Sequence, residues 1–337
     1  MPETPKTPHT PLMVDDRPAG KSATQAGPRI ATFLASATEL VCALGMRDKL
    51  VGISHECDHP FGLDDLPRLT KSRVAAPTSR AIHDKVETLV SQAMALYEVD
   101  VAALKKVAPD VLVTQDLCAV CAVSLEEVRR AASEVLAKDV TIVSLAPRRL
   151  DDVWNDLVRI GDVLGMGMTA QAIANGFRSR IDRVTGRMSE VVARHGRPKV
   201  LAIEWMDPVM VAGLWMPDLI ERAGGEALVG RAGEDGEVLE DFGAIEPDVV
   251  LVKPCGFDLE QTLAELNWSS GSADGAAPLS ELRRRWPKAR WYAADGNAYF
   301  NRSGPRLVES LEILAACVHP ESTKDFAERH RGRFVAL

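Results

Sequence analysis

The sequence predicts an α/β protein of two similar lobes, each a parallel sheet flanked by helices, with one long helix joining them. Three observations carry this reading. Short apolar runs alternate with helix-like segments along the chain, the pattern of strands wrapped by helices. A set of motifs in the first half recurs in the second. A single stretch of helical periodicity separates the halves. The 337 residues are enough for about two domains with real cores. Hydrophobic residues at 46% and charged residues at 26% exclude a disordered or fibrous chain. A net charge of -8 argues against a nucleic-acid groove, which needs clustered Lys and Arg.

Residues 1–28 hold six prolines and no apolar run, so they read as a disordered tail rather than an export signal. The first lobe is expected over residues 29–167, with strands at Ile30 to Leu34, Leu50 to Ser54, Val111 to Gln115 and Thr141 to Leu145. Its helices are expected at Ala37 to Met46, Ile82 to Val107 and Leu125 to Leu136. The second lobe, 196–320, has expected strands at Lys199 to Trp205, Ala227 to Val229, Val249 to Lys253 and Trp291 to Ala294. Its helices are placed at Met216 to Ala223, Leu279 to Trp286 and Gly304 to Cys317, and residues 321–337 read as a tail.

Both lobes contain a helix end turned by Pro-Asp into a buried strand, at Pro109-Asp110 and again at Pro247-Asp248. Upstream, Glu39 to Gly45 followed by Leu50 to Gly52 parallels Asp218 to Gly224 followed by Leu228 to Gly230. Two long repeats mean duplicated architecture, not a solenoid. Between the lobes, within 168–195, Ile173, Phe177, Ile181, Val184 and Met188 keep helical spacing. A helix from Thr169 to Arg194 would run ~39 Å, enough to cross between lobes, and such a stiff connection implies modest lobe motion.

No stretch reaches the roughly 18 apolar residues of a membrane span, so no direct membrane insertion is expected. With no export signal read either, the expected compartment is the cytoplasm, or the periplasm if the start lies elsewhere. Six cysteines, at 42, 57, 118, 121, 255 and 317, are then expected as free, metal-bound or redox-active thiols. No phosphate loop, nucleophile elbow, H-E-x-x-H or dinucleotide fingerprint is present, which favours binding over catalysis.

Arg29 to Glu39, Leu44 to Gly52, the paired Pro-Asp strands, Ala212 to Gly225 and the inter-lobe helix together resemble the helical-backbone, class III substrate-binding proteins of ABC importers for cobalamin, haem and ferric siderophores. The resemblance covers roughly 29–320 and is nearest to the cobalamin-binding branch. It implies a ligand-binding protein holding a corrinoid or other metal chelate between its lobes, with an importer permease as partner. Exposed acids at matching lobe ends, Glu126, Glu127 and Glu221, would be docking points for such a permease.

In open parallel sheets, ligands meet the loops at the carboxyl ends of the strands. Those loops carry Ser36 and Thr38, then His55, Cys57, Asp58 and His59, then Cys118 and Cys121 in the first lobe. The second lobe offers Trp205 and Asp207, Cys255 and Phe257, and Asn297, Tyr299 and Phe300, with Trp215 nearby. A flat corrinoid would be sandwiched by Trp205, Trp215, Phe257, Tyr299 and Phe300, with His55, His59 or a cysteine approaching cobalt. The alternative is a metalloprotein or enzyme in which Cys57, Cys118, Cys121 and Cys255 converge on zinc or an iron-sulfur cluster. Cys42 and Cys317 lie in apolar helical sequence and are expected as core thiols.

Overall fold

The computed structural model describes residues 27–337 apart from 77, 93–95, 117–123, 137–138, 244 and 272–277. The first lobe runs β1 (Ile30–Thr32), α1 (Ala35–Ala43), β2 (Leu50–Gly52), β3 (Thr70–Ser72), α2 (Ser79–Ser91) and β4 (Tyr97–Val99). It continues through α3 (Val101–Val107), β5 (Val111–Gln115), α4 (Leu125–Val135), β6 (Thr141–Leu145) and α5 (Leu150–Val163). α6 (Gly167–His195) leads into the second lobe: β7 (Lys199–Trp205), β8 (Met210–Val211), α7 (Met216–Arg222), β9 (Glu226–Ala227), β10 (Glu237–Val238) and β11 (Val249–Val252). α8 (Leu259–Gly271), α9 (Pro278–Arg285), β12 (Arg290–Ala294), α10 (Leu307–Val318), α11 (Lys324–Arg329) and β13 (Phe334–Ala336) complete it. Strands β2-β1-β5-β6 form an all-parallel sheet, and β10-β8-β7-β11-β12-β13 form the second, with β7, β11 and β12 parallel at its centre. This is the expected architecture of two α/β lobes flanked by helices, with the parallel core of the second sheet extended by the antiparallel neighbours β8 and β13.

The Pro-Asp repeat has the same atomic consequence in both lobes. A helix end precedes the motif only in the first lobe, where α3 leads to Pro109; no helix leads to Pro247 among the described residues, which corrects that half of the expectation. In both lobes the aspartate carboxylate accepts a backbone N–H at the start of the adjoining strand: Asp110 from Arg29, just before β1, at 2.8 Å and Asp248 from Lys199 at 2.7 Å. Each aspartate carbonyl then accepts from the strand on the other side, from Thr141 and from Arg290. A side chain that would otherwise compete with the ladder thus fixes where three parallel strands begin. The upstream repeat ends a helix in the same manner twice. Gly45 donates to the Cys42 carbonyl and Gly224 to the Glu221 carbonyl, both glycines in the left-handed region at φ 74° and 83°.

Two further expectations are corrected. The periodicity that suggests one helix from Ile82 to Val107 spans α2, β4 and α3. Tyr97 to Val99 instead pairs antiparallel with β3, and Asp100 then caps α3 by accepting from the Ala103 N–H at 2.8 Å. An aromatic and a β-branched residue before a strong N-cap are the local signal that helical spacing overrides. Residues 321–337, expected as a tail, form α11 and the edge strand β13, whose pairs with β12 include Ala293 with Val335. Apart from Gly27 and Pro28, the expected disordered segment 1–28 lies outside the described residues.

α6 has 29 residues and so spans ~43 Å. Its buried stripe, Ala170, Ala174, Phe177, Ile181, Val184, Met188 and Val191, meets α5 from the first lobe and α7 and α10 from the second. Trp154 on α5 stacks on Phe177 with ring centroids 4.9 Å apart and planes 15° from parallel. The largest core cluster therefore includes residues of both sheets, from Ile30 and Val113 to Val200 and Leu251. No helix among the described residues is long and apolar enough to cross a membrane.

Candidate functional site

Side chains from the loops after β2 and β12 meet directly across the lobes, with an acid of α1 beside them. α1 is buried along almost its whole length, from Ala35 to Cys42, so its one acid, Glu39, is 2% exposed and must be paired. Its partners come from the other lobe. Arg306 donates from Nε and Nη2 to the two Glu39 oxygens at 3.0 and 2.6 Å, and Arg302 Nη1 approaches Oε1 at 3.3 Å. Arg302 turns the rest of its fork to Asp58 on the loop after β2, with Nη1 on Oδ1 and Nη2 on Oδ2, the latter at 2.9 Å. The same Nη2 donates to Asn297 Oδ1 at 2.8 Å, while Asn297 Nδ2 donates to Asp58 Oδ2 at 2.9 Å. Burial alone would raise the Asp58 pKa, but the hydrogen bonds and charge of Arg302, with Asn297 and Arg306, hold the carboxyl below its ordinary range.

A second contact joins the lobes. Thr78 caps α2, and the first helical residue, Ser79, donates its backbone N–H to both oxygens of Glu265 on α8, each at 3.0 Å. The Ser79 hydroxyl donates to the same carboxylate. Glu265 thereby satisfies the orphan donors of a helix N-terminus from across the cleft. Beside it, Arg80 lies 3.6 Å from Asp207.

The residues singled out from the sequence divide into three groups. Asp58 and Asn297 are brought together, and Asp207 joins the α2 contact. Trp205 meets Phe257 edge to face at 5.7 Å, and its indole N–H is buried without a hydrogen-bond partner among the described residues. His55 is half-buried, with Nδ1 2.7 Å from Thr70 Oγ1, and burial together with Arg68 lowers its pKa, which favours a neutral imidazole. His59 is half-buried against Phe61, which is 75% exposed. The next group is taken up by packing. Ser36 accepts from the Ser303 hydroxyl at 3.4 Å, Thr38 is fully buried, and Trp215 donates its indole N–H to the Phe300 carbonyl at 2.7 Å. Phe257, Phe300 and Tyr299 are buried, with Arg306 5.6 Å above the Tyr299 ring.

The cysteines form the third group. Cys57 belongs to the first lobe's core rather than to an open loop: it is 1% exposed, and its sulfur lies 2.9 Å from Thr38 Oγ1. Burial pushes its thiol up to about 11, against formation of the thiolate that a metal needs. The expectation that Cys57 faces the cleft is corrected accordingly. Cys255 is exposed, next to the buried Lys253, whose ammonium pairs with Glu204 at 3.5 Å and donates to Asn301. Cys118 and Cys121 lie outside the described residues. Among the described residues no group of three or more His, Cys, Asp and Glu could hold a metal ion. Cys42 and Cys317 are core thiols at 4% and 0% exposure. With Cys118 and Cys121 replaced by Ser, a bulky disulfide reagent should therefore modify one thiol of the folded protein, Cys255, and the other three only in denaturant. Modification of Cys57 in the folded protein would contradict its placement.

No family model and no curated protein matches the sequence. Solved structures do. The chain is similar to a periplasmic heme-binding protein from Pseudomonas aeruginosa at a TM-score of 0.63 and 21% identity, covering 88% of this chain and 94% of that one. It is similar to S. aureus IsdE complexed with heme at 0.61 and 15%, covering 87% and 100%. It is also similar to the periplasmic vitamin B12 binding protein BtuF of Vibrio cholerae at 0.56 and 15%, covering 90% and 100%. This is the class III periplasmic-binding-protein fold. At such identities the likeness is one of fold.

Within the class III fold, Glu39, Arg302 and Arg306 are the site residues that loop reading missed. A signal for them existed. Glu39 sits among Leu34, Ala35, Ala37, Leu40 and Val41, and an acid in so apolar a helix requires a cation. Two arginines flank Gly304-Pro305 at the start of α10, but nothing local says that they serve α1 of the other lobe.

Proposed function

We propose that the chain is a binding protein that holds a flat, metal-containing chelate of the tetrapyrrole or corrinoid class between its lobes, for delivery to an ABC importer permease. The observation that carries this is the meeting of strand-end loops from both lobes around Asp58, Asn297 and Arg302 in a class III fold. Structures of this fold described as heme-binding and vitamin B12-binding support the class of ligand. The loops supply the chemistry that such a ligand requires. Trp205 and the exposed Phe61 offer aromatic surface to a flat ring. His55, His59 and the exposed Cys255 offer soft or imidazole donors to a metal already held by its own macrocycle. The exposed Glu126 and Glu221, one on each lobe, suit a permease face carrying arginines.

The test is an absorbance titration of the purified protein with iron protoporphyrin IX and, separately, with cyanocobalamin. One of the two should give a saturating change in the visible spectrum at one equivalent. Replacement of His59 by Ala or Cys255 by Ser should alter that spectrum if either side chain reaches the metal. Saturable binding of neither compound sinks the proposal.

A further inference from the structure

Arg302 lies where the loops after β2 and β12 meet, as a carboxylate receptor occupied by a side chain of the same protein. Its side chain is 10% exposed, and its guanidinium also donates to Glu39, to Asn297 Oδ1 and to the Glu56 carbonyl at 3.3 Å. The face left over is the planar fork that matches a carboxylate with two parallel hydrogen bonds, and Asp58 sits in that fork. Asn297 Nδ2 adds a further donor to the same carboxylate at 2.9 Å.

The charge balance distinguishes the two acids. Glu39 is 2% exposed, lies on a buried helix and is gripped by both nitrogens of Arg306, so it cannot leave. Asp58 is 49% exposed and lies on a loop, so its carboxylate regains water on leaving, and a ligand carboxylate in the fork restores the pair that Arg302 loses. With Asp58 out, the one carboxylate still hydrogen-bonded to Arg302 and Arg306 among the described residues is that of Glu39. Within that hydrogen-bonded group one positive charge is then left over, on the Arg302 fork that Asp58 vacates, with Asn297 beside it.

We infer that Arg302 and Asn297 form a subsite for a free carboxylate of the ligand, which Asp58 occupies and surrenders on binding. This rests on the function proposed above and narrows it to chelates that carry free carboxylates, in preference to corrinoids whose carboxylates are amidated. It also makes Asp58 a self-inhibitor whose departure removes its own bonds to Arg302 and Asn297 from the inter-lobe junction, while Glu39 keeps its arginines.

The probes are iron protoporphyrin IX and its dimethyl ester, which share the ring and metal and differ in the carboxylates. Both are titrated by absorbance into the wild-type protein and into Asp58→Ala and Arg302→Gln. If the fork is self-occupied about nine-tenths of the time, Asp58→Ala binds the free acid about tenfold more tightly, with the ester changed by less than about twofold. Arg302→Gln should abolish the preference for the acid over the ester. Equal shifts for acid and ester in Asp58→Ala, or weaker binding of the acid, overturn the subsite while leaving the proposed function standing. Failure of every variant to bind either probe overturns the subsite, and if cyanocobalamin is not bound either, the proposed function falls with it.

Discussion

Glu39→Ala should destabilise the folded chain by about 3 kcal/mol, the cost typical of removing one partner from a buried ion pair. The expectation follows from where the charges are left. Arg306 and Arg302 are 15% and 10% exposed, and both lose the carboxylate that neutralises them. Arg302 retains Asp58, so most of the penalty falls on Arg306, which has the Tyr299 ring 5.6 Å away and no longer a carboxylate at 2.6 Å. Glu39→Gln keeps an acceptor of the same shape and should cost less than the alanine variant. Urea denaturation at neutral pH measures both. A loss below about 1 kcal/mol for Glu39→Ala would mean that the network is solvated and worth no more than a surface pair.

Trp154→Ala should be at least as damaging, at about 3–5 kcal/mol, because the site can collapse only a little around the void. Trp154 is fully buried on α5 and lies flat against Phe177 of the inter-lobe helix. The cost combines lost apolar burial with the lost ring contact, which alone is worth about 1 kcal/mol. Trp154→Phe preserves the stacking and should recover much of the loss. The same urea experiment decides it: a Trp154→Ala protein as stable as the parent would show that α5 and α6 are not held by this contact.

What could be read from the sequence was what depends on neighbouring residues. Pro109-Asp110 and Pro247-Asp248 announce the start of a strand because the proline stops one segment and the aspartate caps the next strand over. The inter-lobe helix is legible because its apolar positions lie on one face. The contacts across the cleft follow no such local rule. Arg302 and Asp58 are 244 positions apart, and Ser79 and Glu265 are 186 apart, so nothing near either residue specifies its partner. Cys57 illustrates the opposite error. It lies beside His55 and Asp58 in a turn-like sequence, yet Thr38 and the core claim its sulfur, a choice made by packing rather than by residue type. β13 escaped notice because three residues at a sheet edge carry too little pattern to separate from a tail.

The core that runs through α5, α6, α7 and α10 bears on how the repeated halves relate to one another. Each half has its own sheet with a parallel core and could pass for an independent module. A chain stopped at His195 would nevertheless present to water the faces of α5 and α6 that now meet α7 and α10. Such an apolar surface invites association with other copies. The repeat supplied two similar lobes, and the seam has made each the solvent shield of the other. They should therefore unfold as one cooperative unit, while any opening at the mouth is drawn from the loops and α2.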